Sequence, residues 1–182
     1  MELIKELPEV FEEFAEQRKN SFLAVKEAKE KGIPVVGSYC TYFPKELPMA
    51  IGAAAVSLCS MSGETIEVAE QDLPKNLWPL SKASYGFAKT DKCPYFYFSD
   101  LIVGETTCDG KKKAYEILGR DVPMHVMDMP QMKRPKDIEK WAGEIKEFKS
   151  VVEEFTGHEV TPEKLHDATV LLNKRRKALG RV

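Results

Sequence analysis

The run DLIVGETTCDGKKKAYEIL, residues 100–118, places a compact apolar strand directly before a helix, and the same order recurs along the chain. IPVVGSY (33–39) leads into a segment that reads as helical from about Pro44. AVSLCSM (55–61) leads into TIEVAEQ (65–71), and VPMHVMDM (122–129) into a long helix from 135. Strands that alternate with helices specify an α/β domain. Strands that are apolar nearly throughout specify a mainly parallel sheet covered on both faces. A single α/β domain is expected over 1–182, with an N-terminal helix at 8–31, a core at 33–132 and C-terminal helices at 135–180. A chain of that length can bury a substantial core.

The helices carry their own signals. Phe11, Phe14, Phe22, Val25 and Ala28 recur near the helical period, and Gly32 ends that helix. LPKNLWPLSKASYGFAKTD reads as a loop entering a helix, and Gly119 closes the helix DGKKKAYEIL. Over 135–155, Ile138, Trp141, Ile145, Phe148, Val152 and Phe155 form one stripe, which faces either the core or a partner. In the last helix Thr161 is the expected N-cap and Pro162 the first helical residue, with Leu165, Ala168, Leu172 and Leu179 as its apolar stripe. The basic tail NKRRKALGR reads as a solvated helix face.

Composition narrows the function classes. A net charge of −2 is no electrostatic footprint for nucleic acid or an anionic membrane. The longest apolar run, MAIGAAAVSLCSM, is too short to span a bilayer. The opening MELIKELPEVFEEF is acidic and amphipathic, unlike a signal or transit peptide, so a cytoplasmic protein is expected. In that setting Cys40, Cys59, Cys93 and Cys108 are expected to be free thiols. Their spacings contain no CxxC pair, which removes the usual zinc finger and ribbon patterns.

In an open parallel sheet, ligands sit outside the carboxyl ends of the strands. Cys40 follows VVGSY, and Cys108 follows DLIVGETT where a helix begins. A helix N-terminus favours thiolate, the form that binds metal or attacks carbon; a cysteine at a strand end also simply fills space. Cys93 precedes an aromatic cluster, and Cys59 reads as core. Trp78, Phe87, Tyr95, Phe96, Tyr97 and Phe98 form either the apolar wall of a pocket or part of the core. Glu105 and Asp109 flank Cys108 as groups that orient a site, take a proton or cap the helix. Glu46 reads as a first-turn acid, His125 as a satisfied strand-end residue, and Ser84 and Tyr85 as ligand donors or helix packing. Lys111, Lys112 and Lys113 read as a solvated run.

The segments YCTYFPKELPMAIGA, NLWPLSKASYGFAKTDKCPYFYFSDLIVGETTCDGKKKAYEIL and VPMHVMDMPQMK resemble the 2-hydroxyacyl-CoA dehydratase family, which includes benzoyl-CoA reductase subunits. KCPYFYFSDLIVGETTCDGKKK most resembles its double-cubane cluster branch. The resemblance implies a three-layer Rossmann-like or flavodoxin-like domain, here the N-terminal half of a subunit whose two halves enclose an iron–sulfur cluster. It implies an anaerobic lyase or oxidoreductase component, with a separate ATP-dependent activator protein delivering low-potential electrons for reaction of an acyl-CoA or small molecule. It carries metal and cofactor binding to Cys40, Cys93 and Cys108, as ligands of a 4Fe–4S or double-cubane cluster. Related sequences usually have cysteine where Trp78 stands, so one expected thiolate is missing. The partner is then a second α/β half or a homo- or heterodimer mate. The other expectation is a cluster-less, non-catalytic α/β module that pairs with a partner subunit or with itself.

Overall fold

The computed structural model of the protein describes residues 10–60 and 62–181. The acidic opening before residue 10, the expected start of the first helix at 8 and the Phe11 side chain lie outside what it describes. The elements run α1 (Val10–Glu30), β1 (Val35–Ser38), α2 (Glu46–Ala50), β2 (Ala54–Ser57), a 3-10 turn (Gly63–Thr65), α3 (Ile66–Ala69) and α4 (Pro79–Lys89). After these come α5 (Pro94–Phe98), β3 (Leu101–Glu105), α6 (Asp109–Leu118), β4 (Met124–Met127), α7 (Pro135–Thr156) and α8 (Pro162–Leu179).

The four strands form one parallel sheet in the order β2-β1-β3-β4. That is the flavodoxin-like order, and the domain is a three-layer α/β fold. Val36 lies opposite Ala55 on one side and Leu101 on the other, and Ile102 lies opposite Met124. Alternate residues of β3 feed two cores, because side chains of a strand point to opposite faces. Ile102 packs with Tyr39, Leu58 and Tyr115, next to partly buried Phe87, on the face covered by α4, α5 and α6. Leu101 and Val103 pack with Val36, Leu47, Phe148 and Val152 on the face covered by α2 and α7. Both faces are covered, which is why the strand sequences are apolar throughout.

Some helix ends follow local chemistry and others do not. Pro162 opens α8 behind Thr161, whose side chain accepts the Lys164 N–H at 3.3 Å, as expected. Gly157 ends α7 in the left-handed conformation, φ 69°, where a side chain would be strained. Gly119 ends α6 with an ordinary φ of −67°, so its position there needs no glycine backbone. On α7 the predicted stripe meets the core along its middle, where partly buried Trp141 and Ile145 pack with Phe148 and Val152. Phe148 and Val152 are fully buried, whereas Ile138 is 63% exposed. Similarly Ala168 and Leu172 of α8 are buried while Leu179 is exposed. The aromatic run CPYFYF forms a helix of its own, α5, held to α1 by a Phe22–Phe98 ring contact of 6.0 Å. Asp100 then clamps three elements: it pairs with Lys29 of α1, accepts the Val35 N–H at 2.9 Å, and immediately precedes β3.

Candidate functional site

The chain leaves β1 toward β2 on one side and returns through β3 on the other. The switch point therefore lies outside the carboxyl ends of β1 and β3. Cys40 stands two residues beyond β1, and Cys108 is the N-cap of α6 just beyond β3. The two cysteines that sequence position singled out do converge there. Thr107 Oγ1 lies 3.2 Å from Cys40 Sγ, and Ser81 Oγ of α4 lies 3.8 Å from Cys108 Sγ. Cys40 takes a φ of 74°, a conformation that costs a non-glycine residue of order 1–3 kcal/mol and concentrates at functional sites.

At the centre of this cluster is Lys111, not read as a site residue from the sequence. Lys112 and Lys113 are solvated as expected, but Lys111 is only 5% exposed. Its Nζ donates to Cys40 Sγ at 2.7 Å and reaches Cys59 Sγ at 3.8 Å. Burial pulls the Lys111 ammonium toward deprotonation. The bond to Cys40 and the fields of Cys59, Cys40 and Cys108 outweigh it, so its pKa is raised. Cys59, read as core, lies beyond the end of β2 and is the third sulfur around this cation. A buried ammonium requires countercharge, which a thiolate supplies. The signal in the sequence was the spacing: Lys111 is three residues after Cys108, one helical turn on the same face.

Two phenols and one carboxyl underlie the thiols. Tyr39 and Tyr115 are buried with rings 5.7 Å apart, and neither hydroxyl has a hydrogen-bond partner among the described residues. Burial raises both pKa values strongly, with Cys93 and Cys59 adding for Tyr39 and Cys40 for Tyr115. Glu105, fully buried, accepts the Phe43 N–H through Oε1 at 2.6 Å, while Oε2 has no partner among the described residues. It holds the turn that carries Cys40, a positioning role. Burial raises the Glu105 pKa against the opposing pull of the Phe43 and Tyr42 N–H groups and Lys111. A carboxyl whose folded pKa is raised stabilises the fold below its unfolded value, about 4.3, and loses that contribution as pH rises through the folded pKa. Glu105→Gln is therefore expected to gain on the wild type as pH rises from about 4.3 toward neutrality. Paired thermal melts across that range check it; a constant difference between the two proteins would count against a protonated Glu105.

Comparison with known proteins bears on this arrangement. The family of 2-hydroxyglutaryl-CoA dehydratase D-components matches residues 40–182, from the first of these cysteines onward. The chain belongs to that family. It is similar to the putative dehydratase subunit YjiM of Escherichia coli (strain K12), 56% identical over 181 residues. The alignment covers 99% of this chain and 47% of that protein, so the chain spans about half the length of its curated relative.

The remaining residues expected of a dehydratase-family site fall into two groups. Cys93 is buried beside Cys59, and its sulfur accepts the Phe96 N–H at 3.4 Å as the N-cap of α5. Burial raises its pKa, opposed by the Phe96 and Tyr95 N–H groups. Cys93 and Cys59 line a cavity of about 630 Å³ roofed by α1, with Phe22, Phe87 and Tyr95 in its wall. Trp78 and Tyr97 turn out to solvent, Trp78 being 62% exposed, so they take no part in that wall. Trp78 caps α4 one turn ahead of Ser81, the residue that touches Cys108.

Others are structural. Ser84 accepts the Ser60 N–H at 3.1 Å, and Tyr85 donates to Asp72 at 2.6 Å. Glu46 pairs with Arg176 at 2.6 Å, tying α2 to α8. Asp109 is exposed at the first turn of α6, near Lys112. His125, half-buried, stacks on Phe148 at 5.5 Å, and its Nε2 has no partner among the described residues, so it is not satisfied.

Among the described residues, no three His, Cys, Asp or Glu side chains are grouped closely enough to hold a metal ion. Thiol donors are nevertheless what an iron–sulfur cluster takes. Cys40 and Cys108 lie beyond β1 and β3 at one switch point and match such a group in donor chemistry. Among the described residues no helix is long and apolar enough to cross a membrane.

Proposed function

We propose that the chain acts as one half of an iron–sulfur subunit of the dehydratase and reductase type, in the cytoplasm. The observation that carries this reading is the meeting of Cys40 and Cys108 at the switch point of a domain from this family. Those two thiolates would hold a 4Fe–4S or double-cubane cluster, with Cys93 as the third; recruiting Cys93 means releasing its cap on α5. When bound, such a cluster supplies a low-potential electron, received from an ATP-dependent activator, to an acyl-CoA or small-molecule substrate. The chain's own residues do the positioning. Glu105 holds the Cys40 turn, Ser81 and Thr107 orient the two sulfurs, and Lys111 balances their charge. A second α/β half, or a partner subunit, supplies the other wall of the site.

Lys111 also supports a second reading, a cluster-less module that pairs with another subunit or itself, because its amine already occupies the space against the Cys40 sulfur. Anaerobic purification with iron and sulfide analysis separates the two. Stoichiometric iron and sulfide, lost in Cys108→Ala, is the expected result; none after anaerobic reconstitution would refute the iron–sulfur reading. Trp78→Cys restores a thiol one turn from Ser81 and is expected to raise iron retained per chain after desalting.

A further inference from the structure

We propose that Cys40 and Lys111 form a reversible oxidative cross-link, an N–O–S bridge from Lys111 Nζ to Cys40 Sγ, when the free chain meets dioxygen. The two atoms are 2.7 Å apart, at the short end even for a nitrogen–oxygen hydrogen bond, and sulfur is the larger atom. Neither group can easily withdraw. Lys111 is buried, so its amine cannot escape into water. Cys40 is fixed by the left-handed turn that Glu105 holds through Phe43, and Thr107 Oγ1 lies 3.2 Å from its sulfur. Cys40 is nonetheless partly exposed, so a small oxidant reaches it. A partly exposed thiol beside a cation is the kind that oxidises first.

The chemistry balances without further reagents. Together the Lys111 nitrogen and the Cys40 sulfur carry three hydrogens. One oxygen atom of dioxygen forms the new N–O and O–S bonds. The other leaves as water with two of the hydrogens, and one hydrogen stays on nitrogen. Nitrogen and sulfur together lose four electrons, and dioxygen takes them. Two equivalents of a dithiol reductant, each oxidised to its disulfide, supply the four electrons and four hydrogens that return the amine and the thiol and release the bridging oxygen as water.

The bridge does not depend on the iron–sulfur reading, since it concerns the free thiol. One consequence does rest on that reading: a bridged Cys40 cannot ligate iron, so the cross-link would gate cluster assembly by oxygen.

The test uses the purified full chain without metal reconstitution, exposed to air and digested without reductant. Mass spectrometry is expected to find the peptides holding Cys40 and Lys111 joined, heavier by one oxygen and lighter by two hydrogens. Dithiothreitol should release both, and Lys111→Arg, which keeps the cation, should give no joined species. A Cys40–Cys59 disulfide, a sulfinic acid at Cys40 with Lys111 free, or an unmodified thiol in the air-exposed wild type would overturn the proposal. The wild-type result stands whether or not the variant folds. Iron uptake before and after dithiothreitol is measured last: a bridge without iron uptake in either state refutes the cluster and leaves the cross-link intact.

Discussion

Replacing Phe148 with alanine is expected to lower the unfolding free energy by about 3–5 kcal/mol, the usual loss for a fully buried phenylalanine. The ring has no exposure and joins three parts of the molecule. It meets Phe43 edge-on at 5.3 Å and stacks on His125 of β4 at 5.5 Å, so α7 is held to the sheet and to the Cys40 turn at once. The cavity left behind adjoins the residue whose N–H binds Glu105, so the turn should also loosen. A denaturant melt measures the first effect, and faster labelling of Cys40 by a thiol reagent measures the second. Ile138→Ala, on the same helix and the same sequence stripe, should change stability by no more than about 0.5 kcal/mol because the side chain is in water. Equal losses from the two substitutions would disprove this placement of α7.

The second large effect is expected from Gly86→Ala. A Cβ at Gly86 would lie 2.3 Å from the Thr65 carbonyl oxygen, and a backbone atom cannot swing aside as a side chain can. Helix α4 must therefore move off the 3-10 turn, at a cost of about 1–3 kcal/mol or more for an overpacked site. Because α4 also carries Ser81, the shift should separate Ser81 from Cys108. Gly143→Ala makes the opposite case. Nothing lies within 4 Å of its Cβ position, and it sits within α7, so alanine should stabilise the helix by about 0.5–1 kcal/mol. Comparing the two variants by thermal unfolding tests whether close approach, rather than helix propensity, explains the glycine in α4.

The sequence by itself determined the architecture and the general location of the site. Continuous apolar runs of four to five residues, each followed by a helix, leave little choice but a parallel sheet covered on both faces. Cys40 and Cys108 could be placed at strand ends because that position is a local property, read from where an apolar run stops. What lies beside those cysteines is not local. Lys111 looked like one of three solvated lysines, since the sequence shows a charge run but not which member a neighbouring strand will cover. Only the lateral order β2-β1-β3 brought the Cys59 and Cys40 sulfurs to its amine, from residues 52 and 71 positions away in the chain. Cys93 shows the same limit: the sequence placed it before an aromatic run, and only tertiary packing made it the buried cap of α5. Periodicity likewise marked the α7 stripe without showing where it ends, because burial depends on how far the sheet extends beneath the helix. Strand and helix come from backbone and side-chain preferences within a few residues. A thiol–ammonium cluster comes from the order in which strands pair, which hydrogen bonds and packing between distant segments decide.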